Sequence, residues 1–273
     1  ILSPNGWNDV ADLNFSNSEM RKEMIKAMKY WILEANVDGF RCDYADGVPM
    51  DFWSQAIDTL NKIPERKLIM FGEGTSKELF TAGFDLTFGW DFYGQLKEIF
   101  NANKTVQGLL NVNITDYSGV PEGSHILRFI SNHDDDAWDD TPLEIFNSLE
   151  GSMAAFVLTS YMGGVPLIYN GQEVGCPDKL GFFSTSFTSI NWNLNQGLKS
   201  QYKAIIEFRK SSNAVKNGLI ESLDSNPDVI TIKRSSGTEE VIVIVNVRNS
   251  VKEYQVPTVL ANTIWKNALT GET

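Results

Sequence analysis

The sequence predicts an α/β protein: a (β/α)8 TIM barrel whose N-terminal strands are missing from this chain, followed by a small all-β sandwich domain. Three observations carry that expectation. Over about the first 210 residues, short apolar runs of strand type alternate with amphipathic helical patterns. Three of those runs end on an acid: Val37-Asp-Gly-Phe-Arg-Cys-Asp43, Lys67-Leu-Ile-Met-Phe-Gly-Glu73 and His125-Ile-Leu-Arg-Phe-Ile-Ser-Asn-His-Asp134. A strand that delivers a carboxylate at its C-terminal tip is how such a barrel builds a reactive centre. After about Ser211 the helical patterns stop and β-branched runs separated by turn signals take over. Residues 1–210 are therefore read as a partial barrel, about strands 4 to 8, and 211–273 as a truncated C-terminal β-sandwich.

Element by element, Ser16-Asn-Ser-Glu19 fits a capping box. Met20, Met24, Met28, Trp31 and Ile32 then recur at three- and four-residue steps, one apolar helix face to about Ala35. A strand at 37–43 precedes a helix around Phe52–Ile63 bearing Trp53, Ala56, Ile57 and Leu60. Strands are expected at Lys67–Phe71 and Phe84–Phe88, then a helix at Phe92–Phe100. Next come a strand at Ile126–Ser131, a helix at about Leu143–Tyr161, a strand at Val165–Tyr169 and a helix at Leu198–Lys210. Such an order implies parallel strands joined by right-handed crossovers. In the C-terminal module, Val229–Lys233, Val241–Val247 and Glu253–Val256 are the expected strands. Five barrel-type strands fall short of the eight of a closed barrel. An open doubly wound sheet is the competing arrangement, but no glycine-rich phosphate turn follows the first strand. Absence of three strands on the N-terminal side is the reading adopted.

Composition narrows the function. The chain has 273 residues, 42% of them hydrophobic, which is enough for a large core. No run reaches the about 18 apolar residues of a membrane span, so no membrane insertion is expected. With 23 Lys and Arg against 35 Asp and Glu, the net charge of -12 repels nucleic acid and anionic membranes. A neutral substrate is compatible with it. Cys42 and Cys176 give neither a disulfide framework nor a zinc-type cluster and are read as buried thiols. Ile1-Leu-Ser-Pro-Asn-Gly-Trp7 has no basic start, no apolar stretch and no initiator Met, so the chain is expected to begin inside a longer protein, with compartment and oligomeric state left open.

Asp43 and Glu73 lie about one βα unit apart, Glu73 and Asp134 about two, which in a parallel sheet returns each acid to the same edge. Retaining glycoside hydrolysis needs two carboxyl groups about 5–5.5 Å apart, one to attack the anomeric carbon and one to protonate the leaving oxygen. Arg41, two residues before Asp43, points to the same side of its strand and suits an ionised nucleophile. Glu73 has no cation beside it in sequence, which suits a carboxyl that keeps a proton to give.

Gly39-Phe-Arg-Cys-Asp43, Gly72-Glu73 and Phe129-Ile-Ser-Asn-His-Asp134 resemble three signature regions of the α-amylase family of glycoside hydrolases. Val10-Ala-Asp-Leu-Asn14 resembles the stretch before that family's fourth strand. Gly164-Val-Pro-Leu-Ile-Tyr-Asn-Gly-Gln-Glu173 resembles the stretch at its eighth, and the module after Ser211 is similar to the sandwich that follows its barrel. The resemblance, over roughly residues 7–210, implies Asp43 as nucleophile, Glu73 as general acid/base and Asp134 as the acid that binds sugar hydroxyls and favours the distorted ring. It implies that Arg41 orients Asp43 and that His133 binds the same sugar. The implied substrate is an α-glucan or oligosaccharide, with α-1,4 links in starch-like chains. That substrate favours a secreted or periplasmic protein over a cytoplasmic one.

Departures from the pattern matter as well. The family's D-x-x-x-N-H region, which supplies a further histidine and a calcium ligand, is not in this chain, so calcium stays an open cofactor. Tyr44-Ala-Asp-Gly follows Asp43 in place of the Lys-His pair of many starch-cleaving amylases, which keeps α-glucosidase and transglycosylase alternatives. A non-catalytic subunit is disfavoured because all three acids are present, although an incomplete barrel would leave the isolated chain without half of its cleft. Among Trp7, Tyr44, Trp90, Phe92 and Trp138, most are expected in the core, with Tyr44 and Trp138 the sugar-stacking candidates. Asp135, Asp136, Asp139 and Asp140 lack EF-hand spacing and read as a solvated acidic loop. Asn14, Asn103 and Asn113 head glycosylation sequons of the kind that arise by chance.

Overall fold

The computed structural model describes residues 10–101, 104–181, 188–223 and 226–273. Trp7 and the Asn103 sequon lie outside them. The chain falls into two compact units, one of residues Ile1–Phe88 with Gly119–His125 and one of Gly89–Ser118 with Ile126–Thr273.

In the first unit, helix α1 (Ser18–Glu34) is capped by Asn17, whose side chain accepts the Glu19 and Met20 amides, one residue later than the capping box predicts. Its buried face runs through Ile25 and Ile32, while Met24 and Trp31 are exposed. Of the expected face, Ile32 is buried and Met28 packs against the core, so the spacing located part of the buried side and erred at Met24 and Trp31. Strand β1 (Gly39–Cys42), helix α2 (Met50–Leu60), strand β2 (Ile69–Gly72), the short helix α3 (Glu78–Thr81) and strand β3 (Leu86–Phe88) follow. β1 pairs with β2 and β2 with β3, both in parallel. Gly39 opens β1 at φ 152, and a Cβ there would sit 1.8 Å from the Ile69 carbonyl, so only glycine admits this approach. Beneath the strands, Phe52, Trp53, Ile57, Met70, Leu79 and Phe84 form one buried cluster. Trp53 Nε1 donates to the Ala45 carbonyl at 3.0 Å, anchoring α2 to the turn that leaves β1.

The second unit contains helices α4 (Trp90–Asn101) and α5 (Gln107–Tyr117), the body of strand β4 (His125–Arg128), helices α6 (His133–Trp138), α7 (Pro142–Ile145) and α8 (Leu149–Tyr161), and strand β5 (Val165–Pro166). Helices α9 (Gln196–Ser211) and α10 (Asn213–Asn217) lead into strands β6 (Leu219–Ser222), β7 (Val229–Ser236) and β8 (Glu239–Asn246). β4 and β5 are parallel, with Leu127 beside Val165 and Arg128 beside Pro166. β6, β7 and β8 form an antiparallel three-stranded sheet in that order. The described chain thus has five parallel strands of partial-barrel type plus this antiparallel sheet.

Several elements differ from expectation for local reasons. The helix expected over Leu143–Tyr161 is broken between α7 and α8, where Asn147 turns to φ 65 and Ser148 caps α8 through the Gly151 amide. Glu253–Val256 forms no strand, whereas Leu219–Ser222, with too few apolar residues to show alternation, pairs with β7. α5 carried no helical signal because two of its inward positions are polar, Asn113 and Asp116.

Those two residues answer a buried charge. Arg128 of β4 is fully buried, ion-paired with Asp116 and donating to Asn113 Oδ1 at 2.8 Å. Its guanidinium lies 4.1 Å from the centre of the Phe92 ring. Burial pulls the Arg128 pKa down and Asp116 opposes the shift. Removing one partner strands the other charge in the core. Asp116→Ala is therefore expected to cost about 3–5 kcal/mol in denaturant unfolding, and pairing it with Arg128→Met should recover much of the loss.

Candidate active site

β1 and β2 lie in register from Gly39 beside Ile69 to Cys42 beside Gly72. Asp43 and Glu73 are the next residue of each strand, so parallel pairing at about 4.8 Å converts a distance of one βα unit into neighbouring acids. The ladder continues past the strands. Glu73 N–H donates to the Cys42 carbonyl and Ala45 N–H to the Glu73 carbonyl, each at 2.9 Å.

One guanidinium bridges the two carboxylates. Arg41 Nη1 is ion-paired with Asp43 Oδ1, and Nη2 lies 2.6 Å from Glu73 Oε1, a contact that is ionic and outside hydrogen-bond geometry. The other Glu73 oxygen, Oε2, accepts the Tyr44 amide at 2.8 Å. The Asp43 side chain is 78% exposed and the Glu73 side chain 19%, so Asp43 is open to a ligand while Glu73 is held from behind. Glu73 does have a cation beside it, contrary to the sequence expectation. Arg41 reaches it from the adjacent strand, which adjacency along the chain does not reveal.

Tyr44 adopts the left-handed conformation, φ 45 and ψ 45, uncommon for a bulky residue. That turn aims its amide at Glu73. Its ring lies over Gly47, where a Cβ would come within 1.9 Å of it, and the residue remains exposed. Cys42 is buried, and burial pushes its thiol up to about 12 against the pull of Arg41, so it is no nucleophile at neutral pH. Cys176 is a buried free thiol too.

His133, Asp134 and Trp138 belong to the second unit, where all three lie on α6. Asn132 caps this helix, its side chain accepting the Asp134 and Asp135 amides at 2.9 and 3.0 Å. His133 Nε2 lies 3.3 Å from Asp134 Oδ2. Three acids in the first turn meet the positive end of the helix dipole. Trp138, at the other end, is 72% exposed. Trp90 packs edge-on against Phe129 and Phe92 is fully buried, as expected of core aromatics.

The acids after Asp134 are not a solvated loop. Asp136 is buried and accepts the Leu180 amide at 2.6 Å. Asp139 is ion-paired with Lys97, and its carbonyl accepts from Lys179 at 2.7 Å. Lysines from distant segments neutralise the cluster, and the sequence pattern gave no sign of them. Among the described residues no group of three or more His, Cys, Asp or Glu side chains is placed to hold a metal ion.

Burial raises the Asp135 carboxyl from its usual 3.8 to about 6, with Lys97 opposing and the charges of Asp139 and Asp134 adding. The unfolded chain releases this proton earlier. Between about pH 4 and 6 the folded state binds more protons, and the stabilisation this group contributes, full below that window, is lost as pH rises through it. Asp135→Asn is expected to flatten that part of the stability curve, read as denaturant midpoint against pH.

Comparison with known proteins places this arrangement. Residues 5–213 match the α-amylase catalytic-domain family. The chain is 26% identical over 261 residues to α-amylase 2 of Dictyoglomus thermophilum, covering 89% of this chain and 45% of that protein. It is 25% identical over 248 residues to the cyclomaltodextrinase of Thermoanaerobacter pseudethanolicus, covering 87% and 42%. The chain thus spans less than half the length of these relatives. Its structure matches that of the maltogenic α-amylase AmyB from Thermotoga neapolitana with a TM-score of 0.78 and 27% identity, over all of this chain and 66% of that one. By its matched catalytic domain and its fold, the chain belongs to the α-amylase family.

Proposed function

We propose that the protein hydrolyses α-1,4 glucosidic bonds of starch-like glucans or maltooligosaccharides with retention of configuration. The observation that carries this reading is the pair of acids on adjacent parallel strand tips, Asp43 and Glu73, joined through Arg41. In the first step an Asp43 oxygen attacks the anomeric carbon while Glu73 gives its proton to the departing glycosidic oxygen, forming a glycosyl ester on Asp43. In the second step Glu73, now ionised, takes a proton from water as the water oxygen attacks the same carbon and releases Asp43. Arg41 is suited to hold Asp43 in its attacking orientation. By the likeness of their motif, Asp134 and His133 are assigned to binding sugar hydroxyls, and Tyr44 and Trp138, both exposed, to offering aromatic faces to sugars.

The full-length enzyme tests this scheme. Proton NMR of the first-formed sugar should show the α anomer, and a β anomer would reject the mechanism. Glu73→Gln should lose about 10²–10⁴-fold in kcat on maltooligosaccharides. A product mixture dominated by lengthened oligosaccharides would replace hydrolysis by transfer to an acceptor sugar.

A further inference from the structure

The turn after β1 carries a further acid that the scheme above does not use. Asp46 is an exposed residue whose Oδ2 accepts the Thr75 amide at 2.8 Å, and its two oxygens lie 3.3 and 3.4 Å from the Ser76 amide. Both amides belong to the turn that begins at Glu73. Between them and Glu73 stands Gly74, where a Cβ would sit 2.5 Å from the Asp46 carboxyl carbon and would push that carboxylate from its place.

Glu73 is consequently held on three sides by the β1 turn. Its own backbone is tied to Cys42 and Ala45, its carboxylate accepts from Tyr44, and the residues following it are fixed by Asp46. The Thr75 and Ser76 bonds are exposed, so water would satisfy these amides if the carboxylate were absent. What Asp46 supplies is therefore geometry more than stability: two amides converge on one anchor and set how the Glu73 turn leaves its strand.

We propose that Asp46 is a positioning residue that aligns Glu73 for proton transfer to the leaving oxygen. The inference rests on the reading of Glu73 as general acid/base. A misplacement of about 1 Å can cost about a hundredfold in rate, so loss of the anchor should fall on the step that needs the proton.

The test compares two substrates in the full-length enzyme: maltotetraose, whose leaving group must be protonated, and 2,4-dinitrophenyl α-maltoside, whose aglycone leaves unaided. Asp46→Ala should lower kcat on maltotetraose by about tenfold or more, with KM changed less than about twofold. The initial burst of dinitrophenolate, read by stopped flow, should stay near the parent rate. Asp46→Asn, which keeps one acceptor oxygen, should recover part of the loss. Equal losses on both substrates, or no loss on maltotetraose, would overturn the proposal. If Asp46→Ala fails to fold, Gly74→Ala presses on the same contact from the other side and should show the same selectivity. Glu73→Gln serves as the control. If it lacks this selectivity, the acid/base assignment itself fails. If it shows the selectivity and the Asp46 variants do not, only the role of Asp46 is lost.

Discussion

Two acids on neighbouring strand tips meet around one cation, and the site is organised by Arg41, which stands between them. Its guanidinium contacts Asp43 on its own strand and Glu73 on the next. The arrangement depends on the parallel register of β1 and β2. A slip of one residue would turn every side chain of one strand to the opposite face and separate the acids from their shared cation. Gly39 and the buried cluster of Phe52, Trp53, Met70 and Phe84 hold that register from below. The chemistry at the strand tips therefore inherits its precision from apolar packing, with the Trp53 N–H bond to the Ala45 carbonyl as its polar tie.

Above the sheet, precision comes from backbone bonding. The turns after β1 and β2 are stitched amide by amide: Ala45 to the Glu73 carbonyl, Tyr44 to the Glu73 carboxylate, Thr75 and Ser76 to Asp46. Each such bond is worth only about 1 kcal/mol net. Together they restrict the rotation of one carboxyl group, a small energy that geometry turns into a large effect on rate. The left-handed Tyr44 is the strained point of this arrangement, and the amide it directs at Glu73 is what the strain achieves.

In the second unit, charge is buried on condition that it is answered. Arg128 is enclosed by Asp116, Asn113 and the Phe92 ring. Asp135, enclosed with less compensation, holds its proton to about 6. The same unit presents Asp134 in the first turn of α6, where its amide donates to the Asn132 side chain that caps the helix.

Much of this was legible in the residues. Strand runs alternating with helical patterns announced the parallel strands, because a strand joined to its neighbour through a helix runs parallel to it, and Asp43 and Glu73 marked two of the tips. Helix α5 was not legible, since its inward Asn113 and Asp116 break the apolar pattern they would otherwise complete, and their reason for facing inward lies in Arg128 across the fold. The expected strand at Glu253–Val256 is not formed; with one β-branched residue in four, its local strand preference is weak. By itself the sequence determined that Asp43 and Glu73 follow strand ends and in what order, whereas Asp134, expected at a third tip, stands on α6 beyond the end of β4. The tertiary structure alone decided that Arg41 is shared by Asp43 and Glu73, and that Asp46 anchors the neighbouring turn, because these contacts join residues about thirty positions apart through the pairing of two strands.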